Sequence, residues 1–592
     1  MLFNVFRNTR SRNPNLSLPL SYIRKKRTWI SATQTANYML NDTLVDWMKK
    51  HYRHDHPSPS RSDHKDYLLE AGIKFEKEVV DYIHNNLLQV CTVSEFITDK
   101  SLQQTIKYMS EGRPLIHSAP IRNKYNSTQG VIDLLVRSDY INHLSQTPLL
   151  EDHEIHINSP KLGVDYYYIP IDIKFSTLKL SSDGKHLLNS DRYPAYKSQL
   201  CIYNQAIGHI QGYQSQYAFI MGRRWTYTSK GIKHWGDDFT KTMGKIDFKN
   251  RDNEYIEKTR QAISWLRKVE VWGHRWSASP PSRPELFPNM CRDSGSWQRV
   301  KRKLAIKNKE LTLLWNVGVK HRQNALNHNI KSWDDPTCDS HHLGINGARK
   351  KVIDKILHIN RHTSQKISPT RITSNLHDWR NNSNEVFVDF ETMLDMFYDK
   401  ETLPHQPKKE QIFMIGVGYR QMDKWNYKSF TCNALTLEEE YRIMNEFVEF
   451  MNSLGNPRIW YWSAEKRFWH QSCNKQFEEY EEDTEKSNKI LQWEIGELLD
   501  LSNLFRQEPI TIKGCFGFGL KEIAEAMRNH GLITTKIESE TSSGTVAAFK
   551  AWEVYNTHHD PENSAILKDI EEYNQFDCRV LSDILEYLRN NH

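Results

Sequence analysis

The sequence has no apolar run approaching the roughly 20 residues needed to cross a bilayer, which excludes a helical membrane protein. Its eight cysteines (Cys91, Cys201, Cys291, Cys338, Cys432, Cys473, Cys515 and Cys578) stand singly, with no C-x-x-C pair. That spacing speaks against a zinc ribbon and a disulfide framework, and reads instead as reduced, mostly core cysteines of a soluble intracellular protein. Nucleus, cytoplasm and a viral replication site are not separated at this level. Repeats and long low-complexity tracts are missing as well, which excludes a solenoid. Acidic residues are absent from the first 41 positions, although Arg7, Arg10, Arg12, Arg24, Lys25, Lys26 and Arg27 all fall there. Such a head is either an organelle transit peptide or a basic arm that helps to hold a polyanion; an arm over 1–28 is the expectation favoured here. Net charge discriminates little, because 80 Lys and Arg against 73 Asp and Glu leave a formal +7 that also suits enzymes of neutral substrates.

What is present is ordinary globular composition, 38% hydrophobic and 26% charged, over a length sufficient for roughly two to four domains. Prolines cluster in "SASPPSRPELFPN", and a softer break lies near "HTSQKISPTRITSN". These breaks give an expected first domain over 29–276, a linker and helical bridge over 277–375, and a last domain over 376–592. The first reads as a helix, "YLLEAGIKFEKEVVDYIHNNL", then strands "GVIDLLVRS" and "YYYIPIDIKFS". A second helix, "AYKSQLCIYNQAIGHI", follows, and then a strand, "YAFIMGRRW", ending in a basic turn. The last domain opens with three strands, "EVFVDFE", "IFMIGVGYR" and "KWNYKSFT". A helix capped by Thr436 and Glu439 follows, then the strand "RIWYW" and mostly helices. The fold class expected is α/β and multidomain.

Two constellations carry chemistry. In the first, Asp133 and Asp172 fall inside apolar strand runs, where an unpaired charge is costly. Two carboxylates on adjoining strands make an oxygen site for a hard cation such as Mg²⁺ or Mn²⁺. Lys174 projects from the same strand face as Asp172 and can position water or neutralise charge building on a phosphate. Glu76 offers a further carboxylate on a helix, and Gln199 and Tyr203 share one helical face. The bland alternative is a strand-end ion pair.

In the second constellation, "VFVDFET" puts Asp389 and Glu391 on one side of a strand. "YNQFD" puts Tyr573 and Asp577 on one helical face, where a phenol can aim a metal-bound water. Between them, Glu465 follows a strand directly, while Asp500 in "LLDLSNLF" competes for the same role.

The first set resembles the PD-(D/E)xK nucleases, and within them the RecB-like branch: a helical Glu76, Gly130 to Asp133, Asp172 to Lys174, then Gln199 to Tyr203. The long interval from Asp133 to Asp172 is assigned to a hairpin insert around "SQTPLLEDHEIHINSP". The clustered cysteines that hold an iron–sulfur cluster in some relatives are missing, so none is expected. The second set resembles an RNase H-like exonuclease of the DEDDy type, with Glu465 where the family has an Asp. Together the layout is similar to predicted RecB-like nucleases with a C-terminal RNase H-like domain. The resemblance implies a restriction-endonuclease-like core, a mixed RNase H-like sheet and divalent-metal-dependent phosphodiester hydrolysis. It further implies DNA as substrate, with helicases or other repair and replication proteins as partners. DNA against RNA, and endo- against exonucleolytic cutting, stay open, as do a single-centre nuclease whose RNase H-like domain only binds substrate and a non-catalytic DNA-binding scaffold.

Between the two, "ELTLLWNVGVKHRQNALNHNI" reads as helix, turn at Gly318 and second helix carrying Lys320 and Arg322. It resembles a helix-hairpin-helix element whose turn would hold a DNA phosphate. An ordinary helical hairpin with solvated lysines is the alternative.

Overall fold

The structure, a computed structural model, describes residues 28–53, 63–361, 364–393, 400–405, 410–422, 424–536, 543–557 and 561–592. Apart from Thr28, the expected basic arm lies outside the described residues. The described chain forms two compact units, the first made of 28–53, 76–276 and 403–405, the second of the remainder.

The first unit is built on an eight-stranded sheet of β1 (Ile30–Ser31), β2 (Val90–Thr92), β3 (Leu115–Asn123), β4 (Thr128–Arg137), β5 (Tyr168–Lys179), β6 (Tyr217–Ser229), β7 (Ile232–Gly236) and β8 (Gly244–Asp247). Its order is β2-β3-β4-β5-β6-β7, with β1 beside β4 and β8 beside β6. Strands β3, β4 and β5 run antiparallel, and β6 is parallel to β5. Its longer helices are α1 (Leu44–His51), α2 (Asp63–Asn86, of which 76–86 belong here), α3 (Asp99–Ser110), α4 (Tyr193–Gln211) and α5 (Glu254–Trp272). Helix α4 makes the crossover from β5 to β6 that a parallel pair requires. Thirteen of its residues are buried, because it lies between the sheet and α5. An α-β-β-β-α-β core results.

Two local expectations are corrected. The insert between Asp133 and Asp172 is not a hairpin. It is a 3₁₀ stretch, Ser138–Leu144, and a short helix, Asp152–Ile155, with a single isolated bridge between Ser159 and Val164. Nor does β6 turn at its basic pair: Arg223 and Arg224 are buried within the strand, which continues to Ser229.

The second unit holds a five-stranded sheet of β10 (Glu385–Met393), β11 (Gln411–Gln421), β12 (Lys424–Thr431), β13 (Arg458–Tyr461) and β14 (Leu498–Asp500), besides a two-stranded piece of β9 (Ile367–Ser368) with β15 (Thr511–Ile512). The order is β12-β11-β10-β13-β14, an antiparallel meander followed by two strands parallel to β10. Its helices include α6 (Gln298–Lys307), α7 (Val319–Asn327), α8 (Ala348–Arg361), α9 (Leu437–Ser453), α10 (Glu465–Glu479), α11 (Leu501–Gln507), α12 (Leu520–Asn529), α13 (Gly544–Thr557) and α14 (Ala565–Asn591). Thr436 caps α9 by accepting from the Glu439 amide, while the Glu439 carboxylate bonds the Asn433 amide and Arg442.

Alternation along β10 separates two cores. Val386, Val388 and Phe390 pack with Ile443, Met444 and Phe447 of α9. Phe387 faces a second core shared with Leu581 and Leu585 of α14 and with Leu311, Leu314, Ile353 and Ile356 of the bridge. Each such side chain contributes roughly 1.5–3 kcal/mol on burial, so segment 277–375 packs as part of this unit. Within it the helix-hairpin-helix reading fails. The first expected helix is only a 3₁₀ turn, Leu311–Leu313, with Leu311, Leu314 and Val317 buried in the core.

Candidate active sites

In the first unit, β4 and β5 pair from Leu134 with Ile171 to Arg137 with Tyr168, and Asp133 and Asp172 stand at the next step. There β5 continues along β6 while β4 continues along β3. Asp133 Oδ2 accepts the Ile173 amide at 2.8 Å. Lys174 Nζ lies 2.6 Å from Asp172 Oδ2 and 4.0 Å from Asp133 Oδ2, and also faces the Tyr196 ring at 5.3 Å. Gln199 Nε2 donates to Asp172 Oδ1 and to the Tyr203 hydroxyl, each at 3.1 Å. The structure thus brings Asp133, Asp172, Lys174, Gln199 and Tyr203 into one cluster. Glu76 is 3.8 Å from His117 Nε2 and close enough to repel Asp133.

Burial pushes Asp172 up to about 8, with Lys174 pulling it down and Asp133 repelling it. Burial likewise raises Asp133, against the pull of Lys174. For the Lys174 ammonium burial is unfavourable, but the two aspartates hold its pKa above the usual lysine range. These oxygen donors, partly neutralised by one lysine, fit a hard divalent cation.

Gly130 shows why this segment needs a glycine. A Cβ there would lie 2.5 Å from Tyr203 Cε1. Gly130→Ala is therefore expected to cost roughly 1–3 kcal/mol through displacement of the Tyr203 ring, read as a lower denaturation midpoint. An unchanged midpoint would show that the ring moves aside freely.

In the second unit, Asp389 and Glu391 follow Phe387 by two and four residues, so they share its face of β10, against which α14 packs. Glu391, Glu465 and Asp577 are 3, 6 and 5% exposed and Asp389 is half-buried, so four carboxylates meet away from bulk water. Burial first, then repulsion by Glu391, Asp577 and Glu465, raises Asp389 well above the carboxylate range. Burial and Asp577 bring Glu391 to about 8. Burial brings Glu465 to about 8 despite backbone hydrogen bonds that favour its charge. Asp577 reaches about 6 by burial, tempered by Lys521 and by the Tyr573 hydroxyl, which donates to it. Its Oδ1 is buried with no hydrogen-bond partner among the described residues. A buried, orphaned carboxylate oxygen amid three further carboxylates fits a divalent cation.

Asp500 is engaged otherwise. Its Oδ1 accepts from Ser463 N, Ser502 N and Ser502 Oγ, and its Oδ2 faces Arg506 at 3.4 Å, so it caps α11. Glu465 keeps the place beside Asp577.

Two residues here escaped sequence reasoning. Asn574 donates to Asp389 Oδ2 at 2.8 Å and accepts from the Tyr427 hydroxyl at 3.0 Å, which orients the carboxylate. Lys521, at the start of α12, places Nζ 4.0 Å from the Tyr573 ring centroid and interacts with Asp577, Glu391 and Asp389. The signal for Asn574 was its place one turn before Cys578 on the buried stripe of α14; Lys521 had none.

The bridge residues do not form a phosphate turn. Arg322 is 6% exposed, paired with Glu310 at 2.9 Å and bonded to the Pro288 carbonyl, and the Gly318 amide donates to His321 Nδ1. Lys320 alone of the three is exposed to solvent.

The RNase_H_2 model of the RNase_H superfamily matches residues 396–589. The match supports a C-terminal RNase H-like domain and points to a nuclease acting on nucleic acid. It takes in Glu465, Lys521, Tyr573 and Asp577 but begins after Asp389 and Glu391. No curated protein and no solved structure matches the chain.

Proposed function

We propose that the chain is a divalent-metal-dependent nuclease with two hydrolytic centres, one around Asp133, Asp172 and Lys174 and one around Asp389, Glu391, Glu465 and Asp577. DNA is the proposed substrate, with an exonucleolytic mode at the second centre and a place in repair, recombination or genome processing. The first unit is read as a RecB-like nuclease domain. The observation that supports the reading most is the second cluster: four buried or half-buried carboxylates with one orphaned oxygen, a demand for positive charge that one lysine does not meet.

Mg²⁺ or Mn²⁺ bound to these oxygens would supply an activated water and charge neutralisation at phosphorus. The protein's own groups do the rest. Lys174, held between Asp172 and Asp133, faces the site with a fixed ammonium that can orient water and offset charge on the phosphate. Tyr573 is kept protonated by burial and by its carboxylate neighbours, so it acts as a hydrogen-bond donor that aims water rather than as a base. Lys521 stands beside it as a cation that can offset charge on the phosphate.

The test uses end-labelled single- and double-stranded DNA with Mg²⁺ or Mn²⁺, comparing wild type with Lys174→Ala, Asp389→Ala and the double variant. Partial activity in each single variant and none in the double is expected. Complete loss with Lys174→Ala alone would reduce the C-terminal centre to a binding site, and an inert wild type would overturn the reading.

A further inference from the structure

A second kind of ligand set lies in the bridge and shares no residue with either carboxylate centre. One donor atom from each of Asp339, His341 and His342 lies within 4.8 Å of the other two. His328 adds a third imidazole, its ring centroid 5.2 Å from that of His342. No hydrogen bond occupies the side chains of His328 or His341 among the described residues, so both offer ring nitrogens.

The turn that carries the set is held from behind. Ser340 is bonded through its amide and its hydroxyl to the two carboxylate oxygens of Asp354, each at 2.9 Å. Arg361 donates to the carbonyls of Asp335 and Cys338. Cys338, Leu343 and Ile345 face the core, so their exposed neighbours Asp339 and His341 face outward. His342 Nδ1 lies 2.7 Å from Asp339 Oδ1, which fixes the orientation of that ring as a carboxylate does beside a metal-bound histidine. Stretch 331–347 contains neither helix nor strand, and irregular segments longer than about 12–15 residues usually have a reason.

Clustered imidazoles with one carboxylate and no thiolate suit a borderline cation, and Zn²⁺ before Mg²⁺. We propose that Asp339, His341 and His342, with His328 beside them, form a structural zinc site that staples this loop to the C-terminal end of α7, which His328 caps. The role is structural because the ligands are presented by a loop anchored to the core rather than by a cleft.

Zn²⁺ binding to the full chain would be measured in millimolar Mg²⁺, which occupies the oxygen-only centres, for wild type, His341→Ala and His341→Ala/His342→Ala. We expect wild type to bind one more equivalent of Zn²⁺ than the double variant. His341→Ala should weaken that equivalent by at least about tenfold. Zn²⁺ should raise the thermal transition of wild type and not that of the double variant. Co²⁺ in place of Zn²⁺ should give visible tetrahedral bands in wild type only. The exposed His341 makes its alanine variant a test that does not depend on refolding the core, and its Mg²⁺-dependent cleavage should equal wild type. Equal Zn²⁺ stoichiometry and affinity in all three proteins would overturn the proposal.

Discussion

Asp577→Asn is expected to cut cleavage at the C-terminal centre by about a thousandfold or more, while making the metal-free protein more stable. Both effects come from one oxygen pair. Asp577 lies in the middle of the cluster, raising Asp389, Glu391 and Glu465 by its charge, and its Oδ1 has no partner among the described residues. Asn keeps the shape and still accepts the Tyr573 hydrogen bond, but it removes a charge that the native state holds at a cost. Asp577 sits at about 6 against an ordinary 3.8, so at neutral pH its ionised form destabilises the fold by roughly 1–3 kcal/mol. The amide should recover about that much in EDTA. With Mn²⁺ the ranking should reverse, because wild type gains binding energy that the variant lacks. Cleavage is best read in a Lys174→Ala background, which isolates this centre. A variant less stable than wild type in EDTA, or one that cuts as fast, would show that Asp577 is a structural residue and not a ligand.

Where the signal is local, sequence spacing already indicates the site. A period of two places Asp172 with Lys174, and Asp389 with Glu391, on common strand faces; a spacing of four joins Gln199 to Tyr203 and Tyr573 to Asp577. The glycine before Asp133 is explained only by the structure, since the ring that excludes a Cβ comes from residue 203. Arg322 was misread for a physical reason. A basic residue on a short helix looks solvated, whereas its partner Glu310 reaches it through an irregular stretch that has no periodicity to read. The same failure hid the absence of the first bridge helix, because an apolar run such as "ELTLLW" buries equally well as a 3₁₀ turn. Lys521 depends on contacts with residues far away in sequence and carries no local signature. Asp500 was legible after all: an Asp two residues before Ser502, opening a helix, is a cap before it is a ligand.

The metal-free protein should lose stability as pH rises from 6 to 8.5, a trend that divalent metal should abolish or reverse. Four carboxyls set the sign. Asp172, Glu391 and Glu465 are raised to about 8 and Asp577 to about 6, each first by burial. A carboxyl whose pKa is higher in the folded state than in the unfolded chain binds its proton more tightly when folded. The stability it contributes is complete below the unfolded value near 4 and is lost as pH rises through the folded value. Across 6 to 8.5 these groups therefore act together, and the thermal midpoint in EDTA should fall by several degrees, at about 2–4 °C per kcal/mol for domains of this size. Lys174 does not offset the loss, because its own raised pKa keeps it charged throughout the window. Cation binding requires the deprotonated oxygens, so its affinity and its contribution to stability grow over the same range. Thermal scans at both pH values, in EDTA and in Mn²⁺, give the four midpoints needed, and Asp577→Asn should flatten the EDTA slope. Parallel slopes with and without metal would mean that these carboxyls are satisfied by the fold itself, and the two clusters would then be cores of buried acid rather than cation sites.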